Sequence, residues 1–260
     1  MGPFNYPSTE EGFVKKTILI SGGLGVLGQG FAKVLIRDGF DVLLLDVKEP
    51  EQGREFSGEF FKADITSEAD IARLKACLAA RGTQVYGLIN NASCQPPGFI
   101  QEIEDYSPDT FRKVLDVNLV GSFLLAKTVL PFMKEHHAGV IVNIGSIQGV
   151  VAPTFEIYEG TKITSPLVYA VAKAGLIHFC KWVAKKYGKW NIRCNAVSPG
   201  GLGDSQRGGS AFADIYSSRV PLGRMVMSEE VADVIAFMFS DKARYITGQN
   251  ILVDGGWTIY

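Results

Sequence analysis

Long apolar runs are missing from this chain. No stretch of about 18 uninterrupted apolar residues occurs, and the opening MGPFNYPSTEEGF has neither the basic start nor the apolar core of a secretion signal. Neither a membrane span nor a signal peptide is therefore expected, and residues 1–14 read as a flexible lead-in. Excess charge is missing too: 26 Lys and Arg meet 27 Asp and Glu, for a net charge of −1. That balance argues against nucleic acid or an anionic membrane as partner. Cysteine is scarce. Cys77, Cys94, Cys180 and Cys194 are too few for a disulfide framework and lack the paired spacing of a metal site, so they read as reduced thiols of a cytoplasmic protein. The three histidines have no metal or triad partner at sensible spacing, and no metal is expected. No repeat, low-complexity tract or Pro/Ser-rich linker divides the chain.

What is present is a regular alternation. With 260 residues and 47% hydrophobic composition, the chain can bury a sizeable core, and residues 15–260 are read as one domain. Strands are expected at 17–21, 41–46, 59–64, 85–90, 139–145, 191–197 and 250–253, with helical patterns between them. Leu27, Phe31, Val34 and Leu35 share one helix face, and Gly39 is a plausible stop. Val-, Ile- and Leu-rich strands separated by helices imply an α/β fold: a doubly wound parallel sheet flanked by helices on both faces. Ligands of such sheets bind beyond the carboxyl ends of the strands.

The informative residues fall at those ends. SGGLGVLGQG follows the first strand and opens the first helix, with Gly22, Gly25 and Gly28 in a G-x-x-G-x-x-G rhythm. Glycines there permit a tight turn and let the backbone approach a pyrophosphate at the helix N-terminus. Asp46 ends the second strand, where a carboxylate binds an adenosine ribose diol and repels a 2′-phosphate. NAD is favoured over NADP, although Lys48 softens the repulsion and leaves NADP open. Asp64 is a candidate for the adenine edge or an ordinary solvated strand end. Asn90, Asn91 and Ala92 end the fourth strand.

Tyr169 and Lys173 form a Tyr-x-x-x-Lys pair on one helical face. A free phenol titrates near 10, so bringing it to neutrality takes about three units, roughly 4 kcal/mol. An ammonium about 4 Å away, at an effective dielectric near 20, supplies about that much. The pair is a candidate proton donor and acceptor.

Taken together, SGGLGVLG, DI (64–65), NNAS (90–93), NLVG (118–121), IGS (144–146), YAVAK (169–173), NAVSPGG (195–201) and YITGQNILVDGG (245–256) resemble the short-chain dehydrogenase/reductase family from about Lys16 to Trp257. The resemblance implies a Rossmann-type fold, a nicotinamide cofactor and an oxidoreductase activity. It implies a catalytic set of Asn118, Ser146, Tyr169 and Lys173. Tyr169 would exchange the proton, Lys173 would lower its pKa and hold the nicotinamide ribose, Ser146 would bind the substrate oxygen, and Asn118 would position a water. Cofactor contacts are expected from Gly22, Gly25, Val26, Leu27, Gly28, Asp46, Asp64, Ile65, Asn91, Ala92, Tyr169, Lys173, Pro199, Gly200 and Leu202.

The chain also departs from that pattern. Tyr158 and Lys162 make a second Tyr-x-x-x-Lys, 12 residues after Ser146, whereas Tyr169 lies 23 residues after it. The family's usual spacing is the shorter one. Gly160 and Pro166 make YEGTK a poor helix interior, whereas SPLVYAVAKAGL is a long helical pattern with Ser165 as expected N-cap and Pro166 in the first turn. Tyr169 is therefore preferred, and residues 154–165 read as an insertion above the active site. Tyr158 and Lys162 are candidate substrate contacts. Val26 replaces a glycine usual in short members, and no threonine follows Pro199-Gly200. Residues 200–226 read as a substrate lid with Arg207 as a further candidate contact.

The expected substrate is a secondary alcohol or ketone of a polar small molecule; the charged insertion and a similarity to bacterial members that modify surface sugars suggest a sugar derivative. The alternatives are an NADPH-dependent 3-oxoacyl-thioester reductase and a non-catalytic NAD-sensing regulator. A homodimer or homotetramer is expected through helices at 107–136 and 166–188, with His136, His137, Phe179 and Trp182 as surface candidates.

Overall fold

Strands buried along nearly their whole length, on both faces, set the architecture. The computed structural model describes residues 15–53, 55–161, 164–204 and 211–259. Among these residues there are seven strands: β1 Lys16–Ser21, β2 Asp41–Asp46, β3 Glu59–Lys62, β4 Gln84–Asn90, β5 Gly139–Ile144, β6 Ile192–Pro199 and β7 Asn250–Val253. All pair in parallel, in the order β3-β2-β1-β4-β5-β6-β7. The helices are α1 Val26–Arg37, α2 Glu68–Ala80, α3 Pro108–Leu115, α4 Ser122–Glu135, α5 Leu167–Tyr187, α6 Ala211–Ser218 and α7 Ser228–Phe239.

Successive strand residues point to opposite faces. Leu19, Leu43, Leu45, Leu88 and Ile141 meet Leu74 and Leu78 of α2, Leu125, Val129 and Met133 of α4, and Cys180 and Val183 of α5. Ile18, Ile20, Val42, Leu44, Ile89 and Val142 meet Phe31 and Leu35 of α1 and Val231, Ile235 and Met238 of α7. One sheet thus carries a core on each face, in a single doubly wound domain. The chain runs outward from β1 to β3, then returns to β4 on the other side of β1. That reversal opens a crevice between the carboxyl ends of β1 and β4.

The helix stop after α1 is as the sequence indicates: Gly39 N–H donates to Ile36 O and Phe40 N–H to Leu35 O, both at 3.0 Å. One local expectation is refined and one is corrected. The helix expected over 107–136 is present as Pro108–Glu135, with a π-helical segment at Asp116–Gly121 between α3 and α4. Such a widened turn changes which side chains face inward, and Asn118 within it is fully buried. Ser165 does not cap α5. Its Oγ is buried without a partner among the described residues, and Pro166 holds the N-cap position with no side-chain bond.

Pro108–Glu135 and Leu167–Trp190, with mean hydropathy 1.4 and 1.3, are long and apolar enough to cross a membrane. Their apolar residues, among them Val129, Met133, Cys180 and Val183, are packed on the sheet, the state of core helices.

Gly87 in β4 shows how tightly the second face is filled. A Cβ there would lie 2.5 Å from the Phe239 ring and 2.7 Å from Ile18 Cγ1. Gly87→Ala is expected to cost about 1–3 kcal/mol by overpacking. That corresponds to a fall in Tm of roughly 2–10 °C for a chain of this size. Thermal unfolding followed by circular dichroism checks this, and an unchanged Tm would show that the β4–α7 contact has slack.

Candidate active site

The turn after β1 is shaped by backbone contacts. Gly22 has φ +63°, and a Cβ on it would lie 2.9 Å from Ala92 Cα, so a side chain is excluded both by conformation and by space. Asn91 Nδ2 donates to Ser21 O at 3.1 Å and to Gly22 O at 3.0 Å, while Ser21 Oγ accepts from the N–H groups of Asn91 and Ala92, each at 3.1 Å. The end of β4 thus braces the glycine turn. Gly25 takes the N-cap position of α1 and supplies no side-chain cap, which leaves the first-turn amides for a ligand. Gly28 packs beneath, where a Cβ would collide with the Gly22 carbonyl.

A cleft of about 980 Å³ opens from this turn. Gly22, Gly25, Val26, Leu27, Asp46, Asp64, Ile65, Asn91, Ala92 and Leu202 all line it, as does Val117, the residue before Asn118. Asp46 is fixed at its wall: Oδ2 accepts from Leu24 N–H and Oδ1 from Lys48 N–H, each at 3.2 Å. Asp64 Oδ1 accepts from the Thr66 N–H at 2.9 Å and from the Thr66 hydroxyl at 2.7 Å. Of the other expected cofactor contacts, Pro199 ends β6, Gly200 N–H donates to Val253 O at 3.0 Å, and Tyr169 and Lys173 stand on α5. These four, with Gly28, are not part of the cleft lining.

The residues expected to handle the proton are brought together by a second close approach. Ser146 follows β5 and opens a 3₁₀ turn at Ile147–Gly149. A Cβ on Gly149 would lie 2.7 Å from the Lys173 carbonyl carbon and 2.8 Å from Ala174 N, so the turn rests directly on α5. Lys173 is 2% exposed; its Nζ donates to Ile144 O at 2.7 Å and lies 5.4 Å from the centroid of the Tyr169 ring. Burial pushes the pKa of Lys173 down to about 8. Phe99 meets Tyr169 edge-on, with ring centroids 6.4 Å apart. Asn118 is buried with neither amide atom partnered among the described residues, and its backbone oxygen accepts from Ser122 Oγ at 2.7 Å. The structure therefore brings Ser146, Tyr169 and Lys173 to one strand end, and places Asn118 next to the cleft-lining Val117.

Tyr158 stands in a 3₁₀ turn at Phe155–Tyr158, in the segment read as an insertion. It stacks on Phe212 of α6, with centroids 5.4 Å apart and planes at 19°, and its hydroxyl accepts from Gln148 Nε2 at 3.2 Å. Lys162, Arg207 and residues 1–14 lie outside the described residues. Sequence reasoning missed Gln148, Phe212 and Tyr216. Tyr216 stacks on Trp257 at 4.2 Å, accepts from Gly201 N–H at 2.8 Å, and is pushed up to about 12 by burial. A visible signal for Gln148 was its place two residues after Ser146. Among the described residues no cluster of His, Cys, Asp and Glu is placed to hold a metal.

The glycine cradle, the tethered carboxylate and the open helix N-terminus fit a nicotinamide dinucleotide. Comparison with known proteins agrees. Residues 25–258 match the family model described as enoyl-(acyl carrier protein) reductase. Post-translational flagellin modification protein A of Campylobacter coli is 30% identical over 93% of this chain and 98% of its own. The 7alpha-hydroxysteroid dehydrogenase of Bacteroides fragilis is 32% identical over 95% of this chain and 96% of its own. A short chain dehydrogenase from Leptospira borgpetersenii with bound NAD+ superposes with a TM-score of 0.84 at 33% identity, over 99% of this chain and 100% of that one.

The chain belongs to the short-chain dehydrogenase/reductase family. It is an oxidoreductase of that family, built around a nicotinamide-dinucleotide site.

The buried lysine of this dehydrogenase/reductase makes a stability statement. Lys173 titrates at about 8 in the fold against 10.5 when exposed. Below about 8 it is protonated in both states, and the fold carries the full cost of burying the charge. Between the two values the unfolded chain holds a proton that the native state has released, so stability rises with pH. The rise is on the order of 3 kcal/mol. Urea unfolding of wild type and Lys173→Met, compared from pH 7.5 to 10.5, isolates the effect: the wild type gains on the variant across that window. A difference independent of pH would refute it.

Proposed function

We propose that the protein is an NAD-dependent dehydrogenase/reductase acting on a secondary alcohol or ketone of a polar small molecule. The observation that carries this reading is the convergence of Ser146, Tyr169 and buried Lys173 at the end of β5. A nicotinamide dinucleotide held in the cleft would supply or accept the hydride. Tyr169 takes the hydroxyl proton from the alcohol in oxidation and returns it to the carbonyl oxygen in reduction. Ser146 donates to the same oxygen and stabilises the charge that develops on it. Lys173, still largely protonated at neutral pH, would favour the ionised phenol and help hold the nicotinamide ribose. Asn118, with both amide atoms open among the described residues, positions the water that links the lysine to solvent.

Asp46 supports NAD over NADP. Its carboxylate, already oriented by two backbone N–H groups, accepts from ribose hydroxyls and repels a 2′-phosphate. The name of the Bacteroides relative points to a secondary alcohol on a ring. A 3-oxoacyl-thioester reductase is the second reading; the description of the matching family model shares with it only the acyl-thioester class of substrate. Asp46 opposes it if that activity draws on NADPH. The four unpaired cysteines suit the cytoplasm.

A screen of alcohols by NADH absorbance, run on wild type, Tyr169→Phe and Tyr158→Phe, tests the assignment. Tyr169→Phe is expected to lose about 10²–10⁴-fold in kcat with NADH affinity kept. Tyr158→Phe is expected to keep its chemistry and change its substrate selectivity. Loss of turnover in Tyr158→Phe alone would move the catalytic role to the insertion.

The protein is further read as a homodimer or homotetramer joined through α4 and α5. Phe123 and Trp182 are 48% and 59% exposed beside a groove of about 280 Å³ that Leu130, Phe179 and Tyr187 also line. An apolar patch with two large exposed rings is the usual mark of a subunit contact. Trp182→Glu is expected to shift the wild-type oligomer to a smaller species in size-exclusion chromatography with light scattering. A monomeric wild type would refute the assembly.

A further inference from the structure

A buried acceptor beside the catalytic serine is unused by the chemistry above. Gln148 sits in the turn between Ser146 and α5. Its backbone N–H donates to Ser146 Oγ and its Nε2 to the Tyr158 hydroxyl, both at 3.2 Å. Its Oε1 is shielded from solvent and has no partner among the described residues. The surroundings are apolar: Ile147, Ile157, Phe212, Tyr216 and Met225 form one buried cluster against which Tyr158 packs. An unpaired carbonyl oxygen in such a setting is disfavoured until a donor reaches it.

We propose that Gln148 Oε1 accepts a hydrogen bond from a second hydroxyl of the substrate, on the carbon next to the one oxidised. Tyr158 is the positioning residue that holds the amide. The proposal rests on the dehydrogenase reading and deepens it by naming a substrate class, the cyclic 1,2-diol or its hydroxyketone. Two observations carry it. With Nε2 committed to Tyr158, the open position on Gln148 is an acceptor, so it selects a hydroxyl or N–H donor. The backbone N–H of Gln148 donates to Ser146 Oγ, the group that binds the reacting oxygen, so a hydroxyl on a neighbouring carbon is the donor nearest to this residue. A single polar anchor in an aromatic and aliphatic wall is how small-molecule sites fix orientation. The stack of Tyr158 on Phe212 closes this wall, so a ring alcohol enters when the two part and is then enclosed with its second hydroxyl on Oε1.

The test uses two probes, trans-cyclohexane-1,2-diol and cyclohexanol, with NAD+ and purified protein, following NADH. Wild type is expected to prefer the diol by about tenfold in kcat/KM, mostly through KM. Gln148→Met, of similar length but without the amide, brings the ratio to within about twofold of one. Tyr158→Phe lowers the ratio part of the way, raising KM for the diol more than for cyclohexanol. NADH binding, read by fluorescence, shows that each variant is folded. The proposal is overturned by equal use of both alcohols by wild type, which is the result if a bound water serves Oε1. It is also overturned by a diol preference that survives Gln148→Met, or by a wild type that binds NADH and oxidises neither alcohol. Failure to bind NADH, or a Tyr169→Phe variant as fast as wild type, instead sinks the dehydrogenase reading itself.

Discussion

Lys173 is a cation held where a cation is disfavoured, and much of the site follows from how it is held. Its ammonium sits almost wholly out of water, tied to the Ile144 carbonyl at the end of β5. That bond needs α5 to lie against the strand end, and the approach is possible because the intervening turn carries Gly149, which has no Cβ to strike the Lys173 backbone. The same contact fixes Ser146 at the start of the turn. One steric permission therefore sets the spacing of the serine, the lysine and, one helical turn earlier, the tyrosine.

The cofactor side rests on a parallel device. Asn91 and Ser21 tie the ends of β4 and β1 together through side-chain bonds to backbone, so the glycine turn is held in place before any ligand arrives. Asp46 is likewise oriented by Leu24 and Lys48 amides. Groups fixed in advance lose little freedom on binding, which is where much of the cost of association otherwise lies. Both devices sit at carboxyl ends of parallel strands, and they share the sheet as a rigid reference.

Legibility in the sequence followed the strength of the local signal. All seven strands were readable, because runs such as DVLLLD and GVIVNI combine high β-propensity with flanking turns. The glycine turn and Asp46 were readable because a phosphate-binding turn needs particular residues at particular places. The π segment was not, since DVNLVG continues a helical pattern and the widening depends on how Asn118 and Ser122 pack. Ser165 looked like a cap by type, yet its hydroxyl is buried and bonds none of the described helix amides. Gln148 was overlooked for a different reason: nothing local shows that a partner ten residues later folds back to meet it, because that contact is made only when the 154–165 segment packs on α6.

The unsatisfied atoms are not scattered. Apart from Arg81 Nε, every buried side-chain polar atom without a partner among the described residues belongs to Asn90, Asn118, Gln148 or Ser165. Asn90 ends β4, Asn118 adjoins the cleft, and Gln148 and Ser165 lie in the connection between β5 and α5. Deeper in the sheet the Asn195 amide bonds on both sides, at 2.9 Å each. Unmet hydrogen-bonding capacity and the displaced lysine pKa thus share one edge of the molecule, while the centre is satisfied. A fold selected for stability alone has no reason to concentrate its costs this way, whereas a site awaiting a polar ligand does.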